Sequence, residues 1–241
     1  MEQKFATEIV ELPSKGLLYP EDNPLSSGKI ELKYMTAKEE DILTNQSYIS
    51  NGTVLDKLLQ SLIVDKSINY NDILIGDKNA ILIASRVLGY GPEYSFEYNG
   101  ETHEVNLAQL DAKPINESLF TRGKNEFSYT LPATGTEITF KLLTHGDEQK
   151  IDQEIKGLQK LKRDAGELTT RLKHMITSIG GNTSTQDIRE FVENRFLARD
   201  ARAFRKYINE IQPDIDMRFY PEGVEEGVSI PVTLNFFWPD I

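Results

Sequence analysis

The chain has 241 residues, 27 basic and 38 acidic side chains for a net charge of −11, and no cysteine. This composition excludes a disulfide framework, a thiolate metal site and a cysteine nucleophile, and it argues against general nucleic-acid binding, which needs net or clustered positive charge. Apolar residues make up 39 % of the chain, enough for a core; no run approaches the ~20 apolar residues that span a bilayer, and Met1-Glu2-Gln3-Lys4 has no secretory-signal pattern, so no membrane association is expected.

Residues 5–11 read as extended and end at a turn, Leu12-Pro13-Ser14-Lys15-Gly16. A loop over residues 20–28 precedes Lys29 to Met35, where Ile30, Leu32 and Tyr34 share one face of a half-buried strand. Thr36 and Glu39 have capping-box spacing and open a helix to about Thr44. Val54, Leu55, Leu58, Leu59, Leu62 and Ile63 predict an amphipathic helix over 54–64. Asp77 is expected to cap a third helix over 78–88, stopped by Gly89. Asn99-Gly100 between residues 94–98 and 102–107 predicts a hairpin, because both turn positions need positive φ. A second hairpin is expected from 126–131 and 137–143, around Pro132 to Thr136.

Residues 147–161 and 167–179 are charged, lack proline and repeat apolar residues at helical spacing. Ser184 and Thr185 are candidate caps for a helix near 186–194; another over 198–211 turns Ala201, Phe204, Ile208 and Ile211 inward and ends before Pro213. A final β pair is expected from 215–220 and 228–236.

Lys33-Tyr34-Met35-Thr36-Ala37-Lys38-Glu39-Glu40 matches Lys141-Leu142-Leu143-Thr144-His145-Gly146-Asp147-Glu148. Each copy places a threonine cap and an acidic residue three positions on where a strand meets a helix, and each stretch ends in a hairpin. The reading is an α+β protein of two similar modules, residues 1–113 and 114–241, the second with a helical insert at about 147–179.

His103, His145 and His174 lie far apart and form no metal-ligand spacing, so no metal or cofactor site is expected. No nucleophile elbow, Walker loop or dinucleotide fingerprint appears. Gly89-Tyr90-Gly91-Pro92 follows a helix and precedes a strand, the reverse of a phosphate cradle, and reads as a C-cap and turn. The basic cluster Arg189, Arg195, Arg199, Arg202, Arg205 and Lys206 stands out in an acidic chain. Arg195, Arg199, Arg202 and Lys206 step by four, three and four, which aligns them if the helix is continuous. Such a stripe suits an acidic partner or a phosphate backbone; the plainer reading is a solvated face balanced by Glu190, Glu193 and Asp200. Phe236, Phe237 and Trp238 form an aromatic terminus that marks either an interface or a covered strand.

Several blocks carry a family resemblance. They are Leu12-Pro13-Ser14-Lys15-Gly16-Leu17-Leu18-Tyr19-Pro20; Met35 to Leu43 followed by Gly52-Thr53-Val54-Leu55-Asp56; Asp200-Ala201-Arg202 through Pro213 to Met217; and Phe236-Phe237-Trp238-Pro239. In that order they resemble the baseplate hub subunit (hub assembly) family of T-even-type contractile-tailed bacteriophages. The resemblance spans most of the chain apart from 147–179. It implies a non-enzymatic structural protein or chaperone of virion assembly, working in the host bacterial cytoplasm or retained in the tail baseplate. Its implied partners are other baseplate hub or tail proteins, with self-association into a homo-oligomer open. Relatives carry cysteine pairs in the hairpins, like small zinc ribbons; here Asn99-Gly100 and Glu222-Gly223 stand in those turns, so the hairpins are expected to hold without metal. The candidate partner contacts are Arg195, Arg199, Arg202, Lys206, Phe236, Phe237, Trp238, Leu17 and Tyr19. Two alternatives stay open: a nucleic-acid-associated protein using the Arg-rich helix 189–206, and a hydrolase with carboxylates in an uncatalogued arrangement.

Overall fold

The computed structural model describes residues 6–162, 166–221, 227–232 and 236–237. Strand β1 (Thr7–Glu11) pairs antiparallel with β2 (Lys29–Lys33), placing Val10 opposite Ile30. The connection turns at Leu12 to Gly16, where Lys15 and Gly16 take φ of 51° and 73°. Gly16 is required there: a β-carbon would overlap the Ser26 carbonyl oxygen.

Thr36 opens α1 (Ala37–Leu43) through the expected capping box, its amide donating to Glu39 Oε2 at 3.0 Å. A short helix absent from the sequence reading, α2 (Gln46–Ser50), is capped by Asn45, whose Oδ1 accepts from the Ser47 and Tyr48 amides. Helix α3 (Val54–Leu62) buries Val54, Leu58, Leu59 and Leu62, the apolar side of its repeat. The chain then returns to β2, with the Val64 amide donating to the Glu31 carbonyl at 3.0 Å. Helix α4 (Ile75–Tyr90) starts two residues before Asp77, which sits inside the first turn and does not cap it. Gly89 lies within α4; Gly91, at φ 84°, ends it. Strands β3 (Glu93–Tyr98) and β4 (Glu101–Asn106) close the hairpin through Asn99 and Gly100, at φ 54° and 81°.

The second half repeats this order. Strands β5 (Phe127–Thr130) and β6 (Glu137–Phe140) form a hairpin, and Thr144 caps α5 (His145–Lys160) with Asp147 completing the box. Helix α6 (Glu167–Met175) stops short of its expected end. Residues Ile176–Ile179 are strand β7, paired with β6, where a helix to 179 was expected. The apolar spacing of Ile176 and Ile179 fits a helix locally, but the edge of β6 captures the segment. Ser184 caps α7 (Thr185–Asn194), and α8 (Ala198–Ile211) spans the range that its apolar repeat predicts. A minimal pair, β8 (Arg218–Phe219) with β9 (Val228–Ser229), follows. Its turn residues Glu222 and Gly223 lie outside the described residues.

The chain is α+β, with helices alternating with antiparallel sheets of two or three strands. One core runs through both halves, from Leu12, Leu32 and Leu59 to Phe140, Phe204 and Phe236. The halves are stitched by backbone: Leu74 bridges Thr144, the Ile75 amide donates to the Leu143 carbonyl at 3.1 Å, and the His145 amide donates to the Ile73 carbonyl at 2.8 Å. Gly76 lies on this seam, where a β-carbon would overlap the Pro213 carbonyl oxygen. The repeated order therefore packs as two halves of one core rather than as two independent cores. Among the described residues no helix is long and apolar enough to cross a membrane.

Candidate interaction surface

Helix α8 has two sides of opposite character. Asp200, Ala201, Phe204, Ile208 and Ile211 are buried, with Phe204 edge-on to Phe140 at 4.9 Å between ring centres. Arg199, Arg202, Arg205 and Lys206 are exposed on the other side. Arg195 does not extend the row as one helix, because the chain breaks between α7 and α8 and Arg195 is the C-cap of α7. It pairs with Glu190 at 2.6 Å and lies over the Phe191 ring. Lys206 approaches Glu210 at 3.7 Å; Arg199 and Arg202 have no ion-pair partner among the described residues.

The remaining sequence candidates are placed differently. Tyr19 is 4 % exposed, its hydroxyl donating to Asp77 Oδ2 at 2.6 Å and accepting from the Leu74 amide at 2.9 Å. Phe236 and Phe237 are fully buried, and Phe236 packs edge-on against Tyr94. These three rings are core and offer no outward contact area, because the partner they needed is the chain's own interior. Leu17 is half-buried, and its carbonyl accepts from the Gly123 amide at 2.8 Å. Trp238 lies outside the described residues.

A polar constellation that the sequence reading did not assemble lies at the seam. A cleft of about 620 Å³ opens between α3, α4, α5 and α6. Lys78 Nζ lies 2.7 Å from Asp56 Oδ1 and 3.1 Å from His145 Nδ1, and His145 Nε2 is 3.5 Å from Asp56 Oδ2. Burial, then the Lys78 charge, holds the His145 pKa below its usual range despite the attraction of Asp56. Glu148 is held by Arg171 through two bonds of 2.5 and 2.7 Å. Each of these carboxylates is thus held by a cation. The carboxyl whose pKa burial raises, Asp77, is sealed under the Leu12–Pro20 turn, away from this cleft. Sequence spacing gave no signal for this cluster because Asp56, Lys78 and His145 come from three separate helices.

Among the described residues no group of three or more histidine, aspartate or glutamate side chains is placed to hold a metal ion. Comparison with protein-family models, with curated proteins and with solved structures found no match for this chain.

Proposed function

We propose that the chain is a non-enzymatic component or assembly factor of the baseplate hub of a T-even-type contractile phage tail, acting through protein–protein contacts. The observation that carries this reading is the outward face of α8. It presents Arg199, Arg202, Arg205 and Lys206 in a chain of net charge −11, on a helix fixed by its buried side. A rigid cationic face suits an acidic protein partner: charges guide encounter and fix register, and the helix adds little ordering cost. Two of the blocks behind the resemblance act as scaffold: Ser14 and Tyr19 hold Asp77, and Thr36 with Glu39 starts α1. A third carries Arg202 onto the exposed face of α8.

The same face also fits the nucleic-acid alternative. Acids beside Arg195 and Lys206, at Glu190 and Glu210, weaken that reading, because a phosphate backbone needs an uninterrupted positive surface. The hydrolase alternative is weakened by the pairing of Asp56 with Lys78 and of Glu148 with Arg171. Co-purification from infected cells tests the proposal. The chain is expected in soluble hub intermediates, in finished tails, or in both. Presence only in intermediates makes it a chaperone, and absence from both rejects the tail role.

A further inference from the structure

The first half has a sheet edge with which no described residue pairs. Tyr34 donates to the Ala6 carbonyl and Leu12 to the Gly28 carbonyl, so the hydrogen-bonded pairs of β1 and β2 fall on even-numbered residues of β1. The N–H and C=O groups of Thr7, Ile9 and Glu11 therefore point away from β2. No described residue pairs with them, and Ile9 is 62 % exposed. Beside this edge lies an almost wholly apolar groove of about 240 Å³, floored by Val10 and by Ile83, Ala84, Val87 and Leu88 of α4. Helix α4 thus extends its apolar side past β1 into a groove that Leu107, Ala108 and Ile215 also line. Glu8 and Glu11 stand on the groove's rim.

We propose that the β1 edge takes an additional antiparallel strand from another polypeptide, an extended segment with apolar side chains at alternate positions and Lys or Arg near its ends. The backbone groups of Thr7, Ile9 and Glu11 supply the ladder. Alternate apolar side chains drop onto α4, and the basic ends meet Glu8 and Glu11. Charge decides against a second copy of this chain as the occupant. Pairing β1 with itself around Ile9 sets Glu8 opposite Val10 and Glu11 opposite Thr7 of the other copy. This gives no Glu a cation across the ladder and gathers four carboxylates along one five-residue ribbon, with Lys29 beside only Glu11 at 3.6 Å. This inference deepens the protein-contact reading above and rests on it, but it names a different face from α8.

The test uses the full chain and a synthetic peptide, acetyl-Lys-Val-Thr-Val-Thr-Val-Lys-amide, with a control in which both lysines are glutamates. Binding of the lysine peptide should shift the amide resonances of β1 and slow exchange of the Ile9 N–H at least tenfold. The glutamate peptide should bind at least tenfold more weakly. Ile9→Pro removes an outward donor and no β1–β2 hydrogen bond, so it should keep the thermal midpoint and abolish binding. Glu8→Lys with Glu11→Lys, which leaves the backbone donors in place, should reverse the preference between the peptides. The inference is overturned if the β1 amides do not respond to millimolar lysine peptide, if Ile9→Pro binds it unchanged, or if sedimentation shows that β1 is occupied by a second copy. Charge reversal of Arg199, Arg202 and Lys206 should leave peptide binding untouched. Peptide binding with no association with hub proteins would uphold this site and reject the tail role.

Discussion

Two clamps, one in each half, show what a single hydroxyl does. In the first half, Asp77 is the third residue of α4 and grips the turn Leu12-Pro13-Ser14-Lys15-Gly16. Its Oδ1 accepts from the Ser14 amide at 2.9 Å, and its Oδ2 accepts from the Ser14 and Tyr19 hydroxyls at 2.7 and 2.6 Å. In the second half, Asp200 is the third residue of α8 and grips the turn Leu131-Pro132-Ala133-Thr134-Gly135. Its Oδ1 accepts from the Ala133 amide at 2.7 Å, while its buried Oδ2 has no hydrogen-bond partner among the described residues. Alanine stands where the first half has serine. The same helix start pins the same kind of turn in both places, but only the first clamp is closed on all sides.

The surrounding elements extend the parallel. Lys33 with Glu39 and Lys141 with Asp147 sit at equivalent capping boxes, at 2.6 and 2.7 Å. Val64 returns to β2 after α3 as β7 returns to β6 after α6. The halves diverge in surface charge and edge. The second half carries the cationic side of α8, and the first carries the open β1 edge. The two halves thus carry unlike surfaces on similar scaffolds.

The two clamps should respond unequally to loss of their carboxylates. Asp77→Ala strands the Ser14 amide, the Ser14 hydroxyl and the Tyr19 hydroxyl, and should cost about 4 kcal/mol in denaturant unfolding. Asp200→Ala strands one amide and removes an oxygen that already lacks a partner, so it should cost about 1 kcal/mol. Equal losses would refute the asymmetry. Gly76→Ala attacks the seam between the halves and should cost about 3 kcal/mol, because the Pro213 backbone must move for the new methyl group.

Ala133→Ser supplies the hydroxyl that the second clamp lacks. It should stabilise the chain by about 1 kcal/mol by giving Asp200 Oδ2 the donor that Ser14 gives Asp77. The gain should vanish when Asp200 is alanine. The smallest expected effect is a pH dependence. The folded pKa of His145 lies below 6.5, so the unfolded imidazole protonates first and stability falls as pH drops from 6.5 towards the folded value. His145→Gln should flatten the thermal midpoint over that window. Glu39 and Asp147 behave in a separate range. Burial opposes their ionisation, but lysine and threonine hydrogen bonds outweigh it and lower both pKa values. Their stabilisation is present above their ordinary values of 4.5 and 3.8 and is lost only as pH falls through the folded values.

What the sequence made legible was local. The Thr36 and Thr144 boxes, the Asn99-Gly100 turn and the full extent of α8 each depend on residues within a few positions of one another. What it hid depends on distant partners. Asp77 looks like a cap until Ser14 and Tyr19, some 60 residues earlier, take its carboxylate. Ile176 to Ile179 looks helical until β6 supplies a ladder. Phe236 and Phe237 fit an interface or a covered strand equally well until Phe236 meets Tyr94 of the first half, and Tyr19 is a candidate contact until Asp77 and the Leu74 amide take its hydroxyl. The cationic row was readable, and so was its break, because the helices expected near 186–194 and over 198–211 leave Arg195 between them.

The central claim, that this chain works by docking the cationic face of α8 on an acidic protein of the tail, is tested most directly by one measurement. Association with purified soluble hub intermediates is titrated against salt for the native chain and for Arg199→Glu, Arg202→Glu, Lys206→Glu combined, with circular dichroism confirming that both are folded. Docking through α8 predicts salt-sensitive binding by the native chain and at least a hundredfold loss on reversal. Equal affinity for both chains, unmoved by salt, would contradict it.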